Sequence, residues 1–328
     1  MSEMGDSYDP GPWKGFDYKS ARATYDNDAG RGYTGTSGSR KSTASRTIDS
    51  LVPEKLTTDA RSPLVVLVDG TGSMGEFPKV MFEKLPLLDL GISDYLEDSE
   101  IAFSMIGDAG SDKYPLQVQP FKKGKELVTS LNSLIIEGGG GGNQQESYEL
   151  GALYFARNVE MPKAVKPVLI YVCDEGIYPS VDKNWAEQYA RVSIENSIKT
   201  KALFDELKNK YSVYCIRKHY NGGLDGEQMT GSNLAIHKQW EEYLGSDKIA
   251  ILNDPRRVVD VIFGLLAYET GKQDFFKKEL SHRQTPKQVA AVMKSMLTVG
   301  KDRKMLPPAG KSVLKTKNAK TKKVDDDK

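Results

Sequence analysis

The sequence predicts a three-layer α/β sandwich with a mostly parallel central sheet, followed by a short C-terminal helical extension. Three observations carry this. Leu64 to Val68 (LVVLV) and Val168 to Cys173 (VLIYVC) are unbroken apolar runs of the kind a strand covered on both faces needs. Each run stops abruptly in an acidic loop, Asp69-Gly70-Thr71-Gly72-Ser73 in one case and Asp174-Glu175-Gly176 in the other. Around them, strand-like stretches alternate with segments of helical spacing, the pattern of βαβ units.

Taken in order, residues 1–45 are rich in Gly, Ser, Thr, Asp and Arg and hold too little periodic apolar surface to offset ordering entropy, so they read as a flexible arm. The α/β domain is expected over 46–270. After the first strand, Phe77 to Leu96 has helical spacing that Pro86 must kink or break. Ile101 to Ile106 and Leu116 to Phe121 read as strands, and Gly124 to Leu134 as a helix with Leu127, Leu131 and Leu134 on one face. Five glycines, Gly138 to Gly142, interrupt the pattern before a helix that Ser147 is placed to cap. Following Asp174, a helix is expected over Lys201 to Lys210, strands over Ser212 to Arg217 and Ile249 to Leu252, and a closing helix over Arg256 to Tyr268. Residues 271–300 read as appended helices. The second of these opens at Thr285-Pro286-Lys287-Gln288, a capping box with proline at the first helical position. Residues 301–328 form a Lys-rich tail, read as flexible.

Composition narrows the function classes. The 328 residues carry 46 basic and 45 acidic side chains, and a net charge of +1 leaves no global field to hold nucleic acid or an anionic membrane. The start, MSEMGDSYDP, shows no signal-peptide pattern, and the most apolar long stretch, Val258 to Ala267, is too short to span a bilayer. The two cysteines, Cys173 and Cys215, sit inside apolar runs and read as buried thiols of a reducing compartment, so the expected location is cytoplasmic. The three histidines form no zinc spacing with them, and neither a Gly-x-Ser-x-Gly elbow nor a phosphate loop ending in Gly-Lys-Ser/Thr occurs.

In folds of this class, ligands collect at the carboxyl ends of the strands, where Asp69 and Asp174 stand. Asp69, Thr71 and Ser73 alternate, so in a loop curling over a strand end one carboxylate and two hydroxyls can converge. That is a hard-oxygen set suited to Mg²⁺ or Mn²⁺. The glycine run with Asn143 at its end, and Asp174, would supply second and third walls.

Asp69-Gly70-Thr71-Gly72-Ser73-Met74 after LVVLV resembles the first loop of the metal-ion-dependent adhesion site of von Willebrand factor type A (VWA) domains, Asp-x-Ser-x-Ser after an apolar strand. Gly140 to Leu153 (GGGNQQESYELGAL) is similar to the glycine-rich second loop and following helix of intracellular members, and VLIYVCDEG to their fourth strand and its Asp. The resemblance implies a Rossmann-like VWA fold in which Thr71 and Ser73 bind the metal through their hydroxyls, with Asp69 and Asp174 in the shell directly or through water. At the second-loop position, where the family has Thr or Asp, this chain has Asn143, with Ser147 the other oxygen within reach. Gly72, Gly142, Ser147, Glu175 and Asp108 would form the partner-binding rim. The family fills the open metal position with a Glu or Asp of a protein partner. By resemblance the chain is then an adaptor without turnover, beside an AAA-type ATPase or a kinase or phosphatase module, with no membrane or nucleic acid involved.

Two other readings stand beside this one. Asp69-Gly70-Thr71-Gly72-Ser73 also resembles the phosphorylation loop of haloacid-dehalogenase-like phosphotransferases, and Gly107 to Asp112 mimics their acidic metal loop. Against it, no strand–helix unit lies between those loops to provide the lysine that such chemistry uses. The remaining reading is a structural VWA domain whose metal loop is vestigial.

Overall fold

The computed structural model describes residues 47–139, 142–220, 224–225 and 228–300. The expected N-terminal arm, the Lys-rich tail and Gly140 and Gly141 lie outside the described residues.

Six strands form one sheet: β1 (Leu64–Asp69), β2 (Ile101–Ile106), β3 (Leu116–Val118), β4 (Val168–Cys173), β5 (Ser212–Arg217) and β6 (Ile249–Ile251). Their spatial order is β3-β2-β1-β4-β5-β6, and every pairing is parallel except that of the edge strand β3 with β2. The sandwich expectation holds. All six residues of β1, β2 and β4 are buried, which is why their sequences lack the alternation of a half-exposed strand.

Alternation reappears in which layer each side chain joins. Val65, Leu67, Leu169, Tyr171 and Cys173 pack with helices α3 (Tyr148–Arg157), α4 (Lys183–Ala190), α5 (Thr200–Lys208) and α6 (Gly231–Leu244). Leu64, Val66, Val68, Ile170 and Val172 pack with the opposite layer. That layer holds α1 (Phe77–Lys84), α2 (Glu126–Ser133), α7 (Val258–Thr270), α8 (Gln273–Arg283) and α9 (Pro286–Ser295). At about 1.5–3 kcal/mol for each fully buried aliphatic side chain, the two faces of the central strands dominate the stability.

Local chemistry explains the boundaries. Pro86 ends α1 early, and the chain continues as a 3₁₀ turn over Leu85–Leu87 and a short helix over Leu88–Gly91. Strand β3 stops at Val118, short of the expected Phe121, two residues before Pro120. Helix α9 opens with the expected capping box, Thr285 Oγ1 accepting from Gln288 N and Gln288 Oε1 accepting from Thr285 N. Ser147 departs from its expected role: it stands at the N-cap of α3 without capping it, because its hydroxyl accepts from Ala109 N at 2.9 Å instead. Cys173 and Cys215 are buried free thiols on adjacent strands.

Candidate metal centre

The sheet reverses its order between β1 and β4, and at that switch point the carboxyl ends of two neighbouring strands leave a crevice. Asp69 is the last residue of β1, and Asp174 directly follows β4. Both are fully buried. The polypeptide thus puts two carboxylates at the one place where an open parallel sheet offers space for a ligand.

Asp69 is held on both oxygens. Its Oδ1 accepts from Thr71 N at 2.8 Å and from Thr71 Oγ1 at 2.6 Å, and its Oδ2 accepts from the Tyr148 hydroxyl. Ser73 Oγ donates to Asp174 Oδ1 at 2.9 Å. Thr71 Oγ1 and Ser73 Oγ then face each other at 3.1 Å. Each hydroxyl has one proton, and the closer contact of each is to a carboxylate, so what the two oxygens turn toward each other is lone-pair density. Adjacent ligands of an octahedral ion with bonds of about 2.1 Å stand about 3.0 Å apart, so this pair matches one edge of a Mg²⁺ coordination shell. The donor set fits a hard divalent cation.

Burial, reinforced by the nearby Asp174 charge, pushes the Asp69 carboxyl up to about 7. Asp174 is also raised by burial, although the Lys218 ammonium pulls against that. Two buried acids competing for a proton are what a cation placed between them would relieve.

The glycine run closes over the first loop by backbone pairing: Gly72 N donates to Gly139 O at 2.6 Å and Gly138 N to Gly70 O at 3.2 Å. A Cβ on Gly72 would lie 2.9 Å from Gly138 O, and one on Gly139 would lie 2.0 Å from Asp112 Oδ1. Gly72 is therefore required by the close approach of two backbones, whereas the Gly139 contact is with a side-chain end.

Among the sequence-predicted residues, the structure brings Asp69, Thr71, Ser73 and Asp174 into one connected cluster. It does not bring Asn143 or Ser147 there. Asn143 is exposed, its Oδ1 accepting from Gln145 N at 3.0 Å and its Nδ2 donating to the Tyr178 hydroxyl at 2.8 Å. Ser147 is committed to Ala109 N. Of the rim residues, Gly142 is exposed with φ +70°, and Gly72 lies in the turn beneath the glycine run. Asp108 is buried, accepting from Tyr178 Oη at 2.9 Å, Gly110 N at 3.0 Å and Ser111 Oγ at 3.2 Å. Glu175 is buried, within hydrogen-bond reach of Ser73 and Glu146, and raised first by burial and then by the Asp174 charge.

Two residues escaped sequence reasoning. Glu146 belongs to a short strand, Gln145–Glu146, that pairs with Gly176–Ile177 just past Asp174. It is 1% exposed, and its Oε2 is buried without a hydrogen-bond partner among the described residues. Burial, followed by the charge of Asp69, pushes its carboxyl up to about 11. A buried acidic oxygen thus lies close enough to Asp69 to feel its charge, on the second loop where Asn143 points away. The available signal was an acid shortly after a glycine run, on the approach to a helix. Lys218, one residue beyond β5, donates from Nζ to Asp174 Oδ2 at 2.9 Å and to Ser73 O at 2.8 Å. Only the strand end marked it. Among the described residues, no three His, Cys, Asp or Glu side chains form a cation cage by themselves. The cluster's distinguishing donors are hydroxyls.

The aspartyl-phosphate reading asked for an exposed nucleophile and a lysine. Lys218 does reach the site, though from beyond β5 and not from a unit between the two loops. Asp69, however, has both oxygens capped by donors and no exposed surface from which to attack.

No family model and no curated protein matches the chain. Solved structures similar to it include proximal thread matrix protein 1 (PTMP1) from the mussel byssus, at 12% identity and a TM-score of 0.43, over 62% of this chain and 47% of that one. A structure of PTMP1 described as having a zinc-occupied MIDAS motif matches at 13% identity and a TM-score of 0.41, over 64% of this chain and 48% of that one. The pilus adhesin SpaC from Lactobacillus rhamnosus GG matches at 13% and 0.43, over 69% of this chain and 32% of that one. The chain spans less than half the length of each.

Proposed function

We propose that this chain is a divalent-metal-dependent protein-binding module, working without turnover, that captures a Glu or Asp side chain of a partner at the Thr71–Ser73 centre. The observation that carries the reading is the hydroxyl pair 3.1 Å apart whose protons are turned into two buried carboxylates. Thr71 and Ser73 would hold Mg²⁺ or Mn²⁺ directly, Asp69 and Asp174 orient those hydroxyls, and Glu146 is the added acidic donor. When bound, such an ion supplies an open coordination position with a preference for carboxylate oxygen.

The chain's own residues explain why partner capture would depend steeply on that ion. Glu146, Asp174, Glu175 and Asp108 are all buried around the crevice. A cation held there would supply the positive charge that an incoming carboxylate needs, so metal and partner would bind cooperatively. The capped Asp69 oxygens favour orientation over nucleophilic attack. The partner, by this reading, is a protein of a cytoplasmic assembly, an AAA-type ATPase or a kinase or phosphatase module. Among the described residues, no helix is long and apolar enough to cross a membrane.

The test is a pull-down from native lysate with the tagged chain in Mg²⁺ and in EDTA, with Ser73→Ala as control. The reading expects a protein retained only by wild type in Mg²⁺, released by EDTA, and lost when one acidic residue of that protein is replaced. Retention that survives both EDTA and Ser73→Ala contradicts it.

A further inference from the structure

A lysine among metal donors is out of place on charge grounds alone, and here it is built in rather than draped over the surface. Its backbone N donates to Cys173 O at 2.8 Å, one residue before Asp174, which fixes where the side chain starts. Its side chain is 18% exposed, and Nζ lies 5.5 Å above the Phe77 ring, a partly dry setting with an aromatic face that favours a cation. From there the ammonium bonds one oxygen from each wall of the centre, Asp174 Oδ2 and Ser73 O. Arg217, the residue before it, is turned away: its guanidinium donates to Asn233 O at 3.1 Å and Asn233 Oδ1 at 2.8 Å.

We propose that Lys218 is a tethered competitor for the metal centre, its ammonium holding Asp174 and Ser73 until a divalent cation displaces it. This rests on the reading that the centre binds metal, and it adds how loading is regulated. An ammonium and a divalent ion sharing Asp174 in a poorly solvated crevice repel each other strongly. A lysine has a long flexible stem and the Lys218 side chain is itself partly exposed, so the ammonium would leave by rotating its side chain outward. The chain thereby has a weakened affinity for free metal and a carboxylate cluster that stays neutralised when the ion is absent. Buried Asp174 with neither Lys218 nor a metal ion beside it would carry an uncompensated charge.

The experiment is calorimetric titration of the full chain with Mn²⁺ at pH 7.5, for wild type, Lys218→Met and Lys218→Arg, with melting curves in EDTA to establish that each is folded. Lys218→Met is expected to bind about tenfold tighter than wild type at unchanged stoichiometry, because the competing charge is gone, while Lys218→Arg is expected to bind no tighter than wild type. Lys218→Gln serves in place of the Met variant, with the same expectation, if that variant is unfolded. Wild-type binding with equal or weaker binding in the neutral variants overturns the proposal and leaves the metal reading intact, making Lys218 a positioning residue for Asp174. Absence of a saturable site in wild type and the neutral variants overturns both.

Discussion

Thr71 and Ser73, by the proposed reading, would hold a cation with little chemistry because the donors are oriented in advance. Neither hydroxyl carries charge; the carboxylates behind them take their protons and turn their lone pairs inward. Replacing either by Ala removes a donor while leaving Asp69 and Asp174 in place, and the expected loss of Mn²⁺ affinity is at least about 10–100-fold. Glu146→Gln should weaken binding as well, whereas Asn143→Ala should leave it unchanged, a contrast that titration of the two variants reads directly. The sequence pointed to Asn143 because position along the loop was its only guide. The short pairing of Gln145–Glu146 with Gly176–Ile177 carries Glu146 inward and leaves Asn143 exposed, and that pairing is not legible from two residues.

Glu149 makes a separate residue-scale case. It is fully buried on α3, both its carboxylate oxygens lack a partner among the described residues, and burial holds its carboxyl well above the ordinary value of 4.5. A raised folded-state value means the native state holds a proton that the unfolded state releases. Its contribution is therefore fully present below about pH 4.5 and is lost as pH rises toward the folded-state value. Glu149→Leu is expected to raise stability at pH 8 by about 1–3 kcal/mol, with the gain shrinking toward pH 4. Urea unfolding of the two proteins at both pH values measures this, and an equal gain at both would refute the buried-acid account.

At the scale of elements, the centre depends on two backbones touching. The 3₁₀ turn at Gly72–Met74 lies under Gly138 and Gly139, and what a Cβ on Gly72 would meet is backbone that cannot swing aside. Gly72→Ala should destabilise by about 1–3 kcal/mol and abolish metal binding, since its Cβ meets a carbonyl oxygen. A melting curve and a Mn²⁺ titration of that variant check both halves. Elements with strong apolar patterns were legible: β1, β2, β4 and β5 fall where LVVLV, IAFSMI, VLIYVC and SVYCIR stand. Helix α6 was not, because its buried stripe runs through Asn233, Ile236, Trp240 and Tyr243. Asn233 looks like a surface residue, yet it is buried in the service of Arg217. Helix α4 was missed for a different reason: it buries Ala186 and Ala190, residues too small to mark a face, and its visible signal was the Asp182 cap, which accepts from Asn184 N and Trp185 N.

For the whole molecule, the C-terminal helices prove to be part of the sandwich rather than an ornament. Phe276, Leu280, Val292, Met296 and Val299 are buried in the same layer as α1 and α7. A buried polar knot ties the layer together: Arg257 donates to Gln284 Oε1 at 2.8 Å, and Gln284 Nε2 to Asp260 Oδ2 at 3.2 Å. Several fully buried apolar side chains at about 1.5–3 kcal/mol each exceed what a domain can spare, so a chain ending at Gly271 is expected to lose its cooperative melting transition. An unchanged transition would show that the layer closes without them. The sequence made these helices visible through a proline and a capping box. That they bury against the sheet layer depends on long-range packing with α7, which no local pattern encodes.

By the proposed reading, two uncharged hydroxyls, oriented by buried acids at the switch of the sheet, make a divalent-cation site. Its most direct test is the loss of the free Mn²⁺ electron paramagnetic resonance signal on adding protein, compared between wild type and Ser73→Ala. A saturable site in wild type, emptied by excess Mg²⁺ and absent from Ser73→Ala, is the predicted result. A free Mn²⁺ signal untouched by wild type, or lost equally with the variant, would contradict the claim.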